Sequence, residues 1–425
     1  MNNSSSQPAS VSARACDVLI LGGGVIGLSV ALFCLRAGRA VTILEQKTPG
    51  SAASHGNCGT ITPSHLPLHA PGTLAKALKW MLKADAPLRI KPSLDPALLG
   101  WLLRFAKLCN ERDFLATAQT KAILLKASRL RLEQLIADEG LACEFERSGT
   151  LYVYREIAGY EHAAPDAALL RSLGIPCVAL DGPALRAREP ALNDSVAGGY
   201  FHPDDARLRP NTYIAELVRA VRAAGGVIEQ GVQITGFETA NGRIDSVQTS
   251  GGRYRGRDVV LALGAWSPQF GQALGLKIPI QPGKGYSITY SRPGIAPVIP
   301  MVLKERSVCV TAWDSGYRLG STMEFAGYDS SLNRLRLDAL SRGAAEYLQE
   351  PVGPTVEEEW YGWRPMTPDD LPIIGRAPHL ANLTLATGHG MLGVSLSAIT
   401  GQLVAELLSD RPPSLDLAPY APTRF

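Results

Sequence analysis

Between Asp17 and Gln46 the chain reads DVLILGGGVIGLSVALFCLRAGRAVTILEQ, an apolar stretch interrupted by glycines. Gly22, Gly24 and Gly27 stand in G-x-G-x-x-G spacing, and Glu45 follows about twenty residues on. Residues of these types at this spacing suit the holding of a dinucleotide pyrophosphate. The first glycine permits a tight turn, the second lets phosphate approach the backbone, and the third lets a helix pack closely on a strand. Free N–H groups and the positive end of the helix dipole then face the anion. Glu45 can hydrogen-bond a ribose diol and would repel a 2′-phosphate. The motif alone leaves FAD and NAD both open.

The elements that must position these residues are legible around them. Asp17–Leu21 and Ala40–Leu44 are short apolar runs that predict buried parallel strands. Val25–Ala37 predicts a helix apolar almost all round, with Gly38 as its C-cap. Near the other end, LTLATGHGMLGVSLSAITGQLVAELL repeats the plan. It predicts a strand (Leu383–Ala386), a glycine-rich turn (Gly388–Gly393) and an apolar helix (Val394–Leu408) aimed at something anionic or electron-rich. Two such units at opposite ends favour FAD threaded through the protein over a self-contained nicotinamide domain.

The segment after Glu45, QKTPGSAASHGNCGTITPSH, predicts a ligand loop in which Ser54, Asn57 and backbone N–H groups can donate hydrogen bonds. Leu74–Asn110 predicts two amphipathic helices joined by a bend near Pro87–Pro96. Lys76, Lys79, Lys83, Arg89 and Lys91, with Trp80 and Trp101, suit either a membrane-surface patch or a solvated basic face, and the second is the plainer reading. Further helices are expected over Leu115–Glu139 and Pro210–Ala224, a strand within RSGTLYVYR, and a hairpin turn at Asn241–Gly242. Val232 could meet an adenine through its backbone. A strand over Asp258–Leu263 runs into Gly264, another point where backbone could close on a dinucleotide.

At 425 residues the chain exceeds one ordinary core and suggests two domains, perhaps interleaved. A formal charge of +3 gives no case for nucleic acid. Seven scattered cysteines without C-x-x-C argue against a disulfide framework or metal site and for a reducing compartment. The opening MNNSSSQPASVSARA lacks an apolar signal core and reads as disordered to about Arg14. No apolar run approaches the roughly 18 residues of a membrane span.

Taken in order, LGGGVIGLSVALFCLRAG, SHGNCGTITP, GKGYS, GWRPMTPDDLPIIG and TGHGMLGVSLSAITG resemble FAD-dependent D-amino-acid dehydrogenases of the glycine oxidase and D-amino-acid oxidase superfamily. The resemblance spans Asp17 to Leu408. It implies an α/β fold: a discontinuous Rossmann-like FAD-binding domain (15–75, 195–265 and 356–425) and an α+β substrate domain with a mixed antiparallel sheet (76–194 and 266–355). It places Gly22, Gly24, Gly27 and Glu45 at the AMP and pyrophosphate, with Val25, Ile26 and Gln46 beside them, and Ser54 and Asn57 near the isoalloxazine. Gly390, Met391 and Gly393 would bring N–H groups to the flavin pyrimidine. Arg364 would clamp the substrate carboxylate, which its fork suits better than lysine would. Tyr286 would hydrogen-bond substrate or simply pack in a strand. His389 is a candidate base, although amine oxidation by hydride transfer to flavin needs no strong one.

The activity so implied is oxidative deamination of a D-amino acid to a 2-oxo acid and ammonia, with electrons passed to a quinone or other acceptor. Relatives attach FAD through a late cysteine or an early histidine. No cysteine follows Cys309, and the loop around His55 matches the noncovalent members, so noncovalent FAD is expected. The location expected is cytoplasmic, with peripheral contact at the inner face of the cell membrane and a partner subunit left open. D-hydroxyproline dehydrogenation and glycine or sarcosine oxidation are the near alternatives. An NAD-dependent reductase and a non-catalytic FAD-bearing subunit are the distant ones.

Overall fold

The computed structural model describes residues 13–81 and 86–425. Lys83 and most of the segment expected to be disordered lie outside the described residues, while Arg14 already stands in a strand.

Two sheets organise the chain. In the first, five strands run parallel in the order Val227–Gln230, Val41–Glu45, Arg14–Leu21, Gly252–Leu261 and Leu383–Thr387. Val18, Leu19, Ile20 and Leu21 at its centre are wholly buried, which is why this strand is continuously apolar instead of alternating. Antiparallel strands Arg243–Thr249 and Ile234–Ala240 extend it through a tight turn, where Asn241 and Gly242 take φ of 51° and 68°. Helices Val25–Arg36, Glu111–Glu139, Pro210–Ala223 and Gly393–Leu408 share one apolar core on one face. A Cβ on Gly401 would lie 2.8 Å from the Ser29 carbonyl oxygen, so the first and last of these helices meet backbone to backbone.

The second sheet has nine strands. Its main order is Val356–Met366, Gln281–Tyr290, Gly316–Phe325, Val308–Trp313, Met301–Leu303, Thr150–Tyr154, Gly198–His202 and Val178–Asp181. Pairing is antiparallel except between Met301–Leu303 and Thr150–Tyr154. The ninth strand, Leu88–Ile90, joins Gly316–Phe325 in parallel and replaces part of the bend expected between the helices Thr73–Met81 and Pro96–Leu108.

The sheets divide the chain differently from the expected domain bounds in three places. Gly198–His202 and Val356–Met366 pair within the second sheet. Glu111–Glu139 packs against Gly393–Leu408 in the first core, where the Ser128 hydroxyl donates to the Ser395 carbonyl at 2.6 Å. Its buried face, including Leu124, Leu125, Leu132 and Leu135, decides the matter. Among the described residues no helix is long and apolar enough to cross a membrane.

Candidate active site

The glycine turn is built as its spacing requires. Gly22 takes φ +105°, and a Cβ there would meet the Ala262 carbonyl oxygen at 2.6 Å. A Cβ on Gly27 would lie 1.9 Å from the Gly22 carbonyl oxygen, so the helix can start against the strand only with glycine there. The first N–H groups of a helix have no intrahelical acceptor. That of Val25 goes to the Ser54 hydroxyl at 3.2 Å, and Gly24, Val25 and Ile26 line a cavity of about 750 Å³. Glu45 closes the turn, its carboxylate accepting from the N–H of Gly23 and of Lys47, both at 2.8 Å.

Gly22, Gly24, Val25, Ile26, Glu45, Gln46, Ser54, Asn57, Val232, Gly264, Gly390, Met391, Gly393, Arg364 and His389 all line this cavity. Gly27 lies behind it as a packing residue. Several backbone donors are already committed. The Val232 N–H bonds the Glu45 carbonyl at 3.0 Å and the Gly390 N–H the Pro365 carbonyl at 3.0 Å, so Gly390 does not offer the donor expected of it. Asn57 also serves the loop itself, donating to the Ser54 carbonyl at 2.7 Å and accepting from Gly59 at 2.8 Å.

Arg364 stands on the strand Val356–Met366, where the cavity meets the second sheet. Its Nη1 donates to the Thr322 carbonyl at 2.7 Å. Thr322 lies in a bulge of Gly316–Phe325, where a three-residue step opposes a two-residue step on Gln281–Tyr290. Ser321 and Thr322 carry φ of 126° and 55°, left-handed values for non-glycine residues that cost on the order of 1–3 kcal/mol each. The strain turns the Thr322 carbonyl onto the guanidinium. No acidic side chain pairs with Arg364 among the described residues, and its Nε and Nη2 have no protein acceptor there. Burial pulls its pKa below the ordinary arginine range, opposed by the neighbouring Cys58 and Cys309.

Two expected site residues have other duties. Tyr286 lines neither of the two large cavities; it is buried in the second core, its hydroxyl donating to Glu324 at 2.6 Å. The packing alternative therefore describes it, because its strand turns this side chain away from Arg364. His389 faces the cavity but is buried, with Nε2 3.0 Å from the Thr400 hydroxyl, and burial pushes its pKa down to about 3. A histidine so placed is neutral and a poor proton acceptor. His55, the early histidine, sits 2.7 Å from Glu358 and does not line the cavity.

A second cavity of about 860 Å³ shares Met391 with the first and is bordered by Thr322, Met323 and Met366 around Arg364. Its wall is largely apolar. Helix Thr73–Met81, which buries none of its residues, forms one side, and Trp101 of Pro96–Leu108 another. Trp101 is buried and donates to the Met366 carbonyl at 2.9 Å, so it belongs to the protein interior. Thr322 and Lys304, which line this chamber, have no local sequence signal; only strand order brings them near Arg364.

The residues present fit an FAD. Helices starting at Val25 and Gly393 open on one cavity, the Glu45 carboxylate stands on its lining, and its volume lies in the range of cofactor pockets. The family of FAD dependent oxidoreductases matches residues 17–407. The D-amino acid dehydrogenase of Phenylobacterium zucineum is 36% identical over 411 residues, 95% of this chain and 96% of that protein. That of Granulibacter bethesdensis is 33% identical over 415 residues, covering 96% and 99%. Among solved structures, glycine oxidase from Geobacillus kaustophilus superposes with a TM-score of 0.76 at 23% identity, covering 97% of this chain and all of that one. L-Proline dehydrogenase from P. horikoshii gives 0.75 at 18%, covering 97% and 98%. These structures share the fold.

Proposed function

The chain belongs to the family of FAD-dependent oxidoreductases, and from that premise we propose that it oxidises a D-amino acid to the corresponding imine, which water converts to the 2-oxo acid and ammonia. One observation carries this reading: a half-buried guanidinium without a carboxylate partner among the described residues, Arg364, stands where the cofactor cavity meets a roomy apolar chamber. A buried charge left unpaired is costly, and a substrate carboxylate on the free edge of Arg364 removes that cost.

Bound FAD supplies the acceptor for the hydride leaving the substrate α-carbon. The chain's residues bind and orient. Thr322 locks one arm of Arg364, so the carboxylate is fixed with the α-carbon toward the cofactor and the side chain toward the second chamber. Neutral His389 takes no proton, which leaves the substrate to enter with its amine uncharged. A chamber of about 860 Å³ suits a substrate with a substantial side chain better than glycine or sarcosine. FAD is held without a covalent bond, a reading supported by a cofactor cavity that no cysteine lines among the described residues and by a His55 engaged with Glu358.

Electrons leave to a quinone met at a membrane surface. Leu78 and Leu103, 63% and 71% exposed, stand on the two helices beside the second chamber, with Lys79, Arg104 and Lys107 exposed nearby.

The test is the visible spectrum of the purified protein, recorded without oxygen while D- and L-amino acids and D-hydroxyproline are added in turn. Bleaching of a flavin band by D-amino acids is the expected result. A flavin band that only L-enantiomers bleach, or that none of them bleaches, overturns the reading. Stoichiometric peroxide under air overturns the quinone acceptor.

A further inference from the structure

The chamber beside Arg364 holds a charge that binding an amino acid's α-carboxylate does not use. Among the described residues three charged side chains line it: Lys76, Asp166 and Lys304. The Lys304 ammonium makes no hydrogen bond or ion pair among the described residues and lies 4.6 Å from the centre of the Tyr152 ring. Lys76 lies in the same way 4.7 Å over Trp80. Among the described residues two cations, the exposed Lys76 and the less exposed Lys304, stand against one carboxylate in a largely apolar wall. His202, 2% exposed with neither ring nitrogen bonded, packs against Tyr152 at 4.7 Å. Burial holds it neutral, at about 4, so it adds no charge to that of the lysines.

Strand register sets where this charge stands. Ser321 pairs with Val308, and Val308 with Leu303. Thr322 comes next on its strand, Ser307 and Lys304 come next at the two ends of the turn 304–307, and all three line the chamber. Two strand spacings, roughly 10 Å, therefore separate the backbone that anchors Arg364 from the backbone that bears Lys304. Ser307 and Ser321 line the stretch between, and the rest of the chamber wall is largely apolar.

We propose that Lys304 recognises the far end of the substrate, so that the preferred substrates are D-amino acids whose side chain of several carbons ends in a carboxylate. The inference rests on the activity proposed above. Arg364 takes the α-carboxylate, the apolar wall takes the methylenes, and Lys304 takes the terminal anion. Burial pulls Lys304 down to about 8, with repulsion from Lys76 adding to it and Asp166 and Glu305 opposing. It remains largely protonated at neutral pH.

The test compares D-2-aminoadipate with D-norleucine, of equal chain length, by kcat/KM with an artificial dye acceptor. The expected result is at least a tenfold preference for D-2-aminoadipate, abolished in Lys304→Met with D-norleucine turnover kept, and retained in Lys304→Arg. Should Lys304→Met fail to fold with bound flavin, Asp166→Asn decides: removal of the competing carboxylate is expected to raise the preference. Equal use of the two substrates by the wild type, an equal loss on both in Lys304→Met, or an unchanged preference in Asp166→Asn overturns the inference. In those cases bleaching by D-norleucine leaves the proposed activity standing. Bleaching by no D-amino acid overturns both.

Discussion

A Cβ on Gly285 would lie 2.3 Å from the Cζ of Arg364. The two residues stand on adjacent antiparallel strands, where Gly283 pairs with Arg364 and Gly285 with Gly362. The guanidinium lies flat over the bare backbone of residue 285, with its Nη1 tied to Thr322. A glycine in a strand interior weakens the strand, and its use here is the space it leaves. Gly285→Ala is expected to push Arg364 off the Thr322 carbonyl. The substrate KM should then rise at least tenfold while the flavin spectrum stays as in the wild type. An unchanged KM would mean that Arg364 does not hold substrate in this pose.

Arg364→Lys probes the same contact from the other side. Lysine keeps the charge but loses the planar fork. A loss on the order of 2–3 kcal/mol of binding, about 30- to 150-fold in kcat/KM, is expected mainly through KM. Steady-state kinetics with a bleaching substrate measures it. A normal KM in this variant would remove Arg364 from the site.

How far each feature was legible follows from how local its cause is. The first sheet could be read because its parallel strands are continuous apolar runs and its glycine turn lies in one short stretch, as the 1.9 Å approach at Gly27 bears out. The second sheet was harder. The three-residue strand Leu88–Ile90 is too short to show a period, and Gly198–His202 finds its partners only through long-range pairing. In the site, Arg364 was reached through resemblance of its motif, while Thr322 owes its place to a bulge and Lys304 to strand order. The acids of TPDD, Asp369 and Asp370, carry no local signal of their role because their partners, Arg424 and Lys121, lie far away in the chain.

That gap leads to a stability prediction. Lys121 and Asp370 form a buried ion pair, their side chains 3% and 6% exposed, with Lys121 also donating to His65 at 3.2 Å. The pair ties the helix Glu111–Glu139 to the turn that follows the Arg364 strand. Lys121→Met leaves a buried carboxylate unpaired and is expected to cost about 3–5 kcal/mol. Urea unfolding of the flavin-bound protein checks this, and adding Asp370→Asn should recover part of the loss. A cost below about 1 kcal/mol would show the pair to be dispensable.

Asp205 gives the pH dependence a defined sign. It is wholly buried, with the Ser64 hydroxyl donating to it at 2.6 Å and the Ser64 N–H at 3.2 Å. Burial dominates these bonds and pushes the carboxyl up to about 7 from an ordinary 3.8. Between those values the folded protein binds more protons at this site than the unfolded chain, so stability from Asp205 is full at low pH and falls as pH rises to about 7. The slope is on the order of 1.4 kcal/mol for each pH step within that window. Asp205→Asn keeps the shape and removes the charge. Its urea midpoint should therefore lie above the wild type's at pH 8 and approach it near pH 5, since Ser64 can donate to either side chain. Parallel midpoints at the two pH values would show that Asp205 does not take up a proton in this range.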